Sequence, residues 1–225
     1  MSAIATNITA VRARIEAASA RVGRDPMAVR LIGASAAFKG VSVEQIGEAM
    51  DAGLLDFGEN RVQEAETHIE ALGERAAEAT WHLIGHLQTN KAKDALDCFD
   101  ILQTVDSVRL AQQLSRRATK PTRILLEVNV AGETSKFGFA PPEVAEAVAA
   151  IRGLPNIDLA GLMTVAPQVD DPEQVRPYFR QLRALADTHG LTELSMGMTD
   201  DFEVAIEEGA TMVRVGRAIF GARPS

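Results

Sequence analysis

The sequence predicts an α/β fold, a (β/α)8 TIM-type barrel with an extra N-terminal helix. Eight short apolar runs are typical of buried parallel strands. Amphipathic stretches of helical length lie between them, and strand–helix alternation favours a parallel sheet. Eight strands suggest closure into a barrel, with an open doubly wound sheet as the alternative. No linker or charge block divides the 225 residues, so we expect one domain over residues 1–225.

The chain begins with a predicted helix over residues 3–22. Ile4, Ile8 and Val11 recur at helical spacing, and Gly23 ends the helix. The first strand is predicted at 29–35. Ser42 then caps the next helix with Gln45 as its capping-box partner, and that helix closes at Gly53.

The same alternation continues to the end of the chain. Further strands are predicted at 54–57, 81–84, 101–104, 124–129, 159–163, 191–195 and 212–215. Helices are predicted near 60–75, 88–97, 107–119, 142–152, 172–188 and 200–209.

Composition excludes several classes of protein. A net charge of −8 argues against nucleic-acid and anionic-membrane binding, because both need a basic face. Cys98 is the single cysteine, which excludes a disulfide framework and fits a reducing compartment. No apolar run is long enough to span a bilayer, so we expect a cytoplasmic protein with no membrane partner.

Functional groups of such barrels lie on the loops that follow the strands. The loops after strands seven and eight carry Ser195, Gly197, Gly216 and Arg217. Glycines allow backbone N–H groups to approach an anion, and this fold often binds phosphate there. The alternative is that both glycines only form turns.

Two acids after strand seven resemble a metal or acid–base pair. Asp200 and Asp201 are better explained as first-turn residues of a helix over 200–208. In this interpretation Glu203 forms a capping box with Asp200.

Three other polar residues do not predict chemistry. His82 and His86 lie on a strand and its loop, without an HExxH pattern or a third ligand, so zinc is not expected. Lys136 is expected to be a solvated loop lysine.

Six phrases are similar to those of the pyridoxal phosphate homeostasis protein family, which is related to the barrel domain of fold-type III alanine racemases. They are FGENRVQE (57–64), WHLIGHLQTNK (81–91), SKFGF (135–139), GLMT (161–164), LSMGMTDD (194–201) and VRVGRAIFGAR (213–223). The resemblance extends from residue 4 to residue 223, in the same order and spacing.

The resemblance implies a pyridoxal 5′-phosphate (PLP) site at the barrel mouth. It assigns the phosphate to Ser195, Gly216 and Arg217, the pyridine nitrogen to Arg214 and the ring surroundings to Asn60, with Met163 and Gly197 also at the site. Many relatives have threonine in place of Arg217. A phosphate contact through the backbone N–H at this position would be kept in this chain, whereas a contact through the threonine hydroxyl would be lost.

The family's Schiff-base lysine follows a serine at the end of the first strand. Here the phrase is SAAFK (35–39), and Ala36 stands in the lysine's place. A methyl group cannot form an imine, so PLP would be noncovalent or absent. Three explanations are open: an engineered Lys→Ala change, natural divergence, or replacement by Lys39. The first is favoured because the other phrases are kept.

The resemblance implies a noncatalytic carrier or regulator in vitamin B6 homeostasis, with PLP as its small-molecule partner and apo-PLP enzymes as recipients. The alternatives are a racemase-like enzyme and a barrel for another phosphate ligand. Racemases of this type need a tyrosine from a second domain, and Tyr178 is the sole tyrosine here, in a predicted outer helix. We therefore expect no catalysis, and a monomer or weak dimer.

Overall fold

Eight parallel strands close into a barrel in the computed structural model, which describes residues 2–35, 41–133 and 136–221. They are β1 (Arg30–Ala34), β2 (Asp56–Glu59), β3 (Thr80–Leu83), β4 (Ile101–Val105), β5 (Thr122–Glu127), β6 (Ile157–Met163), β7 (Glu193–Ser195) and β8 (Met212–Val215). Each strand pairs with the next, and β8 pairs with β1. The predicted barrel is therefore confirmed over the open sheet.

Helices surround the barrel. They are α1 (Ala3–Arg21), α2 (Val43–Asp51), α3 (Val62–Leu72), α4 (Ala92–Cys98), α5 (Val108–Arg117), α6 (Val144–Ile151), α7 (Arg176–His189), α8 (Phe202–Glu207) and α9 (Arg217–Phe220). The extra N-terminal helix is confirmed as α1. Within the described ranges, no helix is both long and apolar enough to cross a membrane.

Local capping signals explain where α2 begins and ends. The Ser42 hydroxyl accepts from the Gln45 N–H at 3.4 Å, and the Gln45 side chain accepts from the Ser42 N–H at 3.0 Å. Gly53 follows the helix with a φ of 76°. The predicted capping box and helix end are both confirmed.

The start of α8 differs from the prediction. The helix begins at Phe202, and the Asp201 carboxylate accepts from the Met198 N–H at 2.6 Å. Glu203 pairs with Arg14 of α1 at 3.1 Å, and Asp200 pairs with Arg217. The predicted capping box between Asp200 and Glu203 is wrong, because arginines distant in sequence bind both carboxylates.

The first and last strands meet at the barrel seam. Along it, Arg30 to Gly33 of β1 pair with Met212 to Val215 of β8. The Asn7 side chain donates to the Ile219 carbonyl at 2.9 Å, which joins α1 to α9. The Arg24 guanidinium donates to the carbonyls of Ile206 and Ala210 at 2.6 and 2.9 Å. α1 and the loop that follows it thus anchor the elements around β8.

Apolar side chains fill two regions, the layer between strands and helices and the barrel interior. The interior cluster contains Ile32, Leu125, Ala160, Met163 and Met212. Because side chains alternate along a strand, Met212 and Arg214 of β8 point inward, whereas Val213 and Val215 face the helices. Alternation thus brings polar side chains into the interior.

Close packing between β6 and β7 requires a glycine. A Cβ at Gly161 would lie 1.9 Å from the carbonyl oxygen of Glu193. This approach lets β7 pair with β6 along Glu193 to Ser195.

Candidate functional site

A cavity of about 730 Å³ opens at the carboxyl ends of the strands. It is lined by Ala34, Asn60, Ile84, Val165, Gln168, Met198, Thr199, Asp200, Arg214, Gly216 and Arg217. Four predicted site residues, Asn60, Arg214, Gly216 and Arg217, are therefore brought together. The volume is in the range of small-molecule sites.

Arg214 is the buried cation of this cavity. It is 4% exposed, and its guanidinium donates to the Ser195 hydroxyl at 2.6 Å and to the Thr164 carbonyl at 2.8 Å. Burial lowers the pKa of Arg214 to about 10, while the nearby carboxylates of Asp201 and Glu127 oppose that shift. The side chain is still a cation at neutral pH, and a guanidinium can only donate hydrogen bonds.

Ser195 and Met163 lie beneath the cavity. Ser195 is fully buried, and its hydroxyl donates to the Gln103 side chain at 2.5 Å while accepting from Arg214. Met163 belongs to the interior apolar cluster. In this structure the Ser195 hydroxyl supports Arg214 from below.

Gly197 forms the turn after β7. Its φ is 93°, and an added Cβ would lie 2.8 Å from the Phe202 Cα. The Gly197 carbonyl accepts from the Arg214 N–H at 3.0 Å. Glycine therefore allows the turn to pack on α8 and to hold β8 in place.

Gly216 and Arg217 lie where β8 passes into α9. The Gly216 carbonyl accepts from the N–H groups of Ile219 and Phe220, at 2.9 Å each. The half-exposed Arg217 guanidinium pairs with Asp200 of the neighbouring loop. A second basic group therefore lies at the rim of the cavity, beside Arg214 on its floor.

Ala36 and Lys39 lie outside the described residues, and Ser35, which directly follows β1, precedes them. The buried Ser35 hydroxyl donates to the Glu59 carboxylate at 2.5 Å, and His68 binds the same carboxylate oxygen at 2.8 Å. The hydrogen bond to Glu59 is the main cause that raises the pKa of His68. Glu59 and His68, which the sequence did not identify, thus fix the end of β1.

Lys136 differs from its prediction. Its side chain is 27% exposed, pairs with Glu133 at 2.6 Å, and donates to the carbonyls of Val165 and Ala166 at 3.3 and 3.2 Å. It lines a second cavity of about 490 Å³ next to the first. The prediction of a solvated Lys136 is therefore wrong, because carbonyls of the loop after β6 accept hydrogen bonds from its amine.

The two histidines of the third strand region have separate environments. His82 is buried in the barrel and binds Asp56 at 3.0 Å. His86 lies outside the strand, 2.9 Å from Asp106, with its ring stacked on Phe137 at 3.8 Å between centroids. Over the described residues, no group of three or more His, Cys, Asp and Glu side chains could hold a metal ion.

Glu127, at the end of β5, has a strongly perturbed carboxyl group. Burial and the nearby Asp106 raise its pKa to about 7, and Arg214 partly opposes this. The folded state therefore binds the Glu127 proton more tightly than the unfolded state does. This carboxyl contributes stability at low pH that is lost as the pH rises towards about 7.

Glu127→Gln should remove the contribution of this carboxyl to the pH dependence of stability. We expect the variant to exceed the parent in free energy of unfolding by about 1–2 kcal/mol at pH 8, with little difference at pH 5. Urea unfolding at both pH values measures this. Glu146→Gln, on the exposed face of α6, is the matched control. An equal effect from both variants would contradict the assignment.

The chain is similar to known proteins over nearly its whole length. The alanine racemase N-terminal domain family matches residues 2–224. A pyridoxal phosphate homeostasis protein of Aquifex aeolicus is 44% identical, with 96% of each chain covered. That of Pseudomonas aeruginosa is 43% identical, covering 99% of this chain and 97% of its own.

The chain belongs to the pyridoxal phosphate homeostasis protein family. Among solved structures, PipY of Synechococcus elongatus with PLP bound is 34% identical, with a TM-score of 0.83 over 97% of this chain and 100% of PipY. Alanine racemase of Clostridium difficile is 15% identical, with a TM-score of 0.74. The chain covers 57% of that racemase, so this likeness shows the barrel fold alone.

Proposed function

We propose that this member of the family binds PLP at the barrel mouth and acts as a noncatalytic carrier or regulator of vitamin B6. The observation that carries the proposal is the buried Arg214 beneath a cavity that also exposes Arg217. The related PipY structure with PLP bound supports the choice of ligand.

The residues of the cavity fit the two polar ends of PLP. Arg217 and the start of α9 offer a cation and backbone N–H donors for the phosphate. The phosphate would displace Asp200 as the acceptor for Arg217. Asn60 lies on the wall of the cavity and is proposed to flank the ring.

Arg214 favours holding the ring over activating it. PLP supplies an electron sink for carbanion chemistry when its pyridine nitrogen is protonated. Arg214 can only donate, so it favours an unprotonated nitrogen that accepts a hydrogen bond. This preference supports a carrier or regulator.

A racemase is the rival proposal. Its chemistry needs a second acid–base group opposite the cofactor. Tyr178 of α7 packs against the helix layer, away from the cavity lining. The curated relatives are named homeostasis proteins, which also favours the noncatalytic role.

Location, assembly and recipients belong to the same proposal. We infer a cytoplasmic protein that is a monomer or weak dimer and supplies apo-PLP enzymes. The single Cys98 and the net charge of −8 fit a reducing compartment and a nonmembrane protein.

Equilibrium dialysis against PLP, pyridoxal and inorganic phosphate tests the site. We expect saturation at one PLP per chain, with pyridoxal bound more weakly because it lacks the phosphate. Arg217→Met should weaken PLP binding about tenfold and leave pyridoxal binding unchanged. Arg116→Met, on the exposed end of α5, is the control.

Three results would oppose the proposal. Equal affinity for PLP and pyridoxal would show that the protein makes no favourable contact with the phosphate. Saturation by inorganic phosphate with no binding of PLP would favour a barrel for another ligand. D-alanine formed from L-alanine by the PLP-loaded chain would favour the racemase.

A further inference from the structure

A continuous series of hydrogen bonds crosses the barrel interior from the cavity to the opposite end. Arg214 donates to Ser195 at 2.6 Å, and Ser195 donates to the Gln103 carbonyl at 2.5 Å. The Gln103 amide nitrogen lies 2.9 Å from His82 Nδ1, and His82 Nε2 lies 3.0 Å from Asp56. We call Arg214, Ser195, Gln103, His82 and Asp56 the interior relay.

The interior relay is shielded from water along most of its length. Ser195, Gln103 and His82 are fully buried, and Arg214 is 4% exposed. Asp56 begins β2 and is partly exposed, with Arg30 Nε 3.6 Å from the carboxylate oxygen that His82 contacts. Buried polar groups need partners, and each relay member has its neighbours in the relay as partners.

The two ends of the relay fix the direction of every bond. A guanidinium only donates, and an ionised carboxylate only accepts. Ser195 accepts from Arg214, so its own proton goes to the Gln103 carbonyl. The Gln103 amide then donates to His82 Nδ1, and His82 Nε2–H donates to Asp56. His82 is therefore held as the Nε2–H tautomer.

We propose that Gln103 and His82 are positioning residues for the cofactor, acting on Arg214 through Ser195. This inference rests on the proposed function, since Arg214 is the group expected to face the pyridine nitrogen. Arg214 Nη1 is held by the hydrogen bond that it donates to Ser195, and Nη2 by the one that it donates to the Thr164 carbonyl. Cutting the relay at Gln103 removes the acceptor in the relay for the Ser195 proton, so the hydroxyl that accepts from Arg214 is no longer held in one orientation.

The cofactor-free protein tests the direction of the relay. Long-range ¹H–¹⁵N NMR spectra of the histidine rings should show His82 with Nε2 protonated and Nδ1 unprotonated. Gln103→Glu puts an acceptor opposite Nδ1, so we expect both His82 nitrogens to become protonated. A His82 ring found as the Nδ1–H tautomer in the parent would overturn the inference.

The effect on the ligand is tested with ¹⁵N-labelled PLP. In the parent, the pyridine ¹⁵N resonance should be that of an unprotonated nitrogen. Gln103→Leu should shift it towards its position in free PLP at the same pH, with PLP binding weakened roughly three- to tenfold. Thr122→Val removes a buried hydroxyl at the far end of β5 and should change neither quantity.

A second variant ensures that the test does not depend on the folding of Gln103→Leu alone. Ser195→Ala removes the bond between Arg214 and Gln103, and should shift both the His82 ring resonances and the pyridine resonance. An unchanged pyridine resonance in Gln103→Leu and Ser195→Ala, with PLP bound, would overturn the positioning role and leave the proposed function intact. Unchanged His82 resonances in Ser195→Ala would overturn the coupling between Ser195 and His82. If the parent binds no PLP, the proposed function itself fails.

Discussion

Ala36→Lys should allow PLP to form an imine with the protein, which borohydride then reduces to a stable secondary amine. A lysine amine can attack the aldehyde of PLP, whereas the methyl group of alanine has no nucleophile. After reduction, intact mass should show one added PLP per chain in the variant and none in the parent. Peptide mapping should place the addition at residue 36.

The control for this result is Lys39→Arg in the Ala36→Lys background. It removes the lysine that is nearest to position 36 in sequence, and we expect full addition to remain. Addition to the unsubstituted chain would show that Lys39 or another lysine replaces the missing one. Absence of addition in Ala36→Lys, despite PLP binding, would refute position 36 as the covalent site.

Arg214→Leu should give a large loss of stability. It removes the buried cation that donates hydrogen bonds to Ser195 and Thr164. It also removes the positive charge near the carboxyl groups of Glu127 and Asp201. The pKa values of Glu127 and Asp201 should rise further, since Arg214 lowers both. We expect urea unfolding at pH 8 to show a decrease of about 3–5 kcal/mol.

Arg123→Leu is the matched control at the other end of the barrel. Arg123 is 45% exposed and pairs with Glu193 at 3.2 Å. Partly exposed ion pairs contribute little, so the expected loss is below about 1 kcal/mol. Equal stability of Arg214→Leu and the parent would show that the desolvation of Arg214 offsets its hydrogen bonds.

The architecture could be predicted because its signals are local. Most strands contain a short apolar run, and the α2 boundaries depend on Ser42, Gln45 and Gly53, which are close in sequence. The first turn of α8 was mispredicted because Arg14 and Arg217 approach it from distant parts of the chain. Local patterns carry no information about such partners.

The site was predicted in part. The resemblance brought Asn60, Arg214, Gly216 and Arg217 together, and all four line the cavity. The interior relay was missed because its members come from five strands. Its one signal was the presence of polar residues, such as Gln103, inside apolar strands. The anchoring of Lys136 depends on a loop thirty residues away and gave no sequence signal.

The seam between β1 and β8 has a consequence for biosynthesis. β1 and α1 emerge from the ribosome long before their partners β8, α8 and α9 are synthesised. Until then, β1 has an unpaired edge and α1 an uncovered apolar face, both of which favour aggregation. A barrel closed in this way has high contact order, so its nascent chain should depend on chaperones until β8 and α9 have been synthesised.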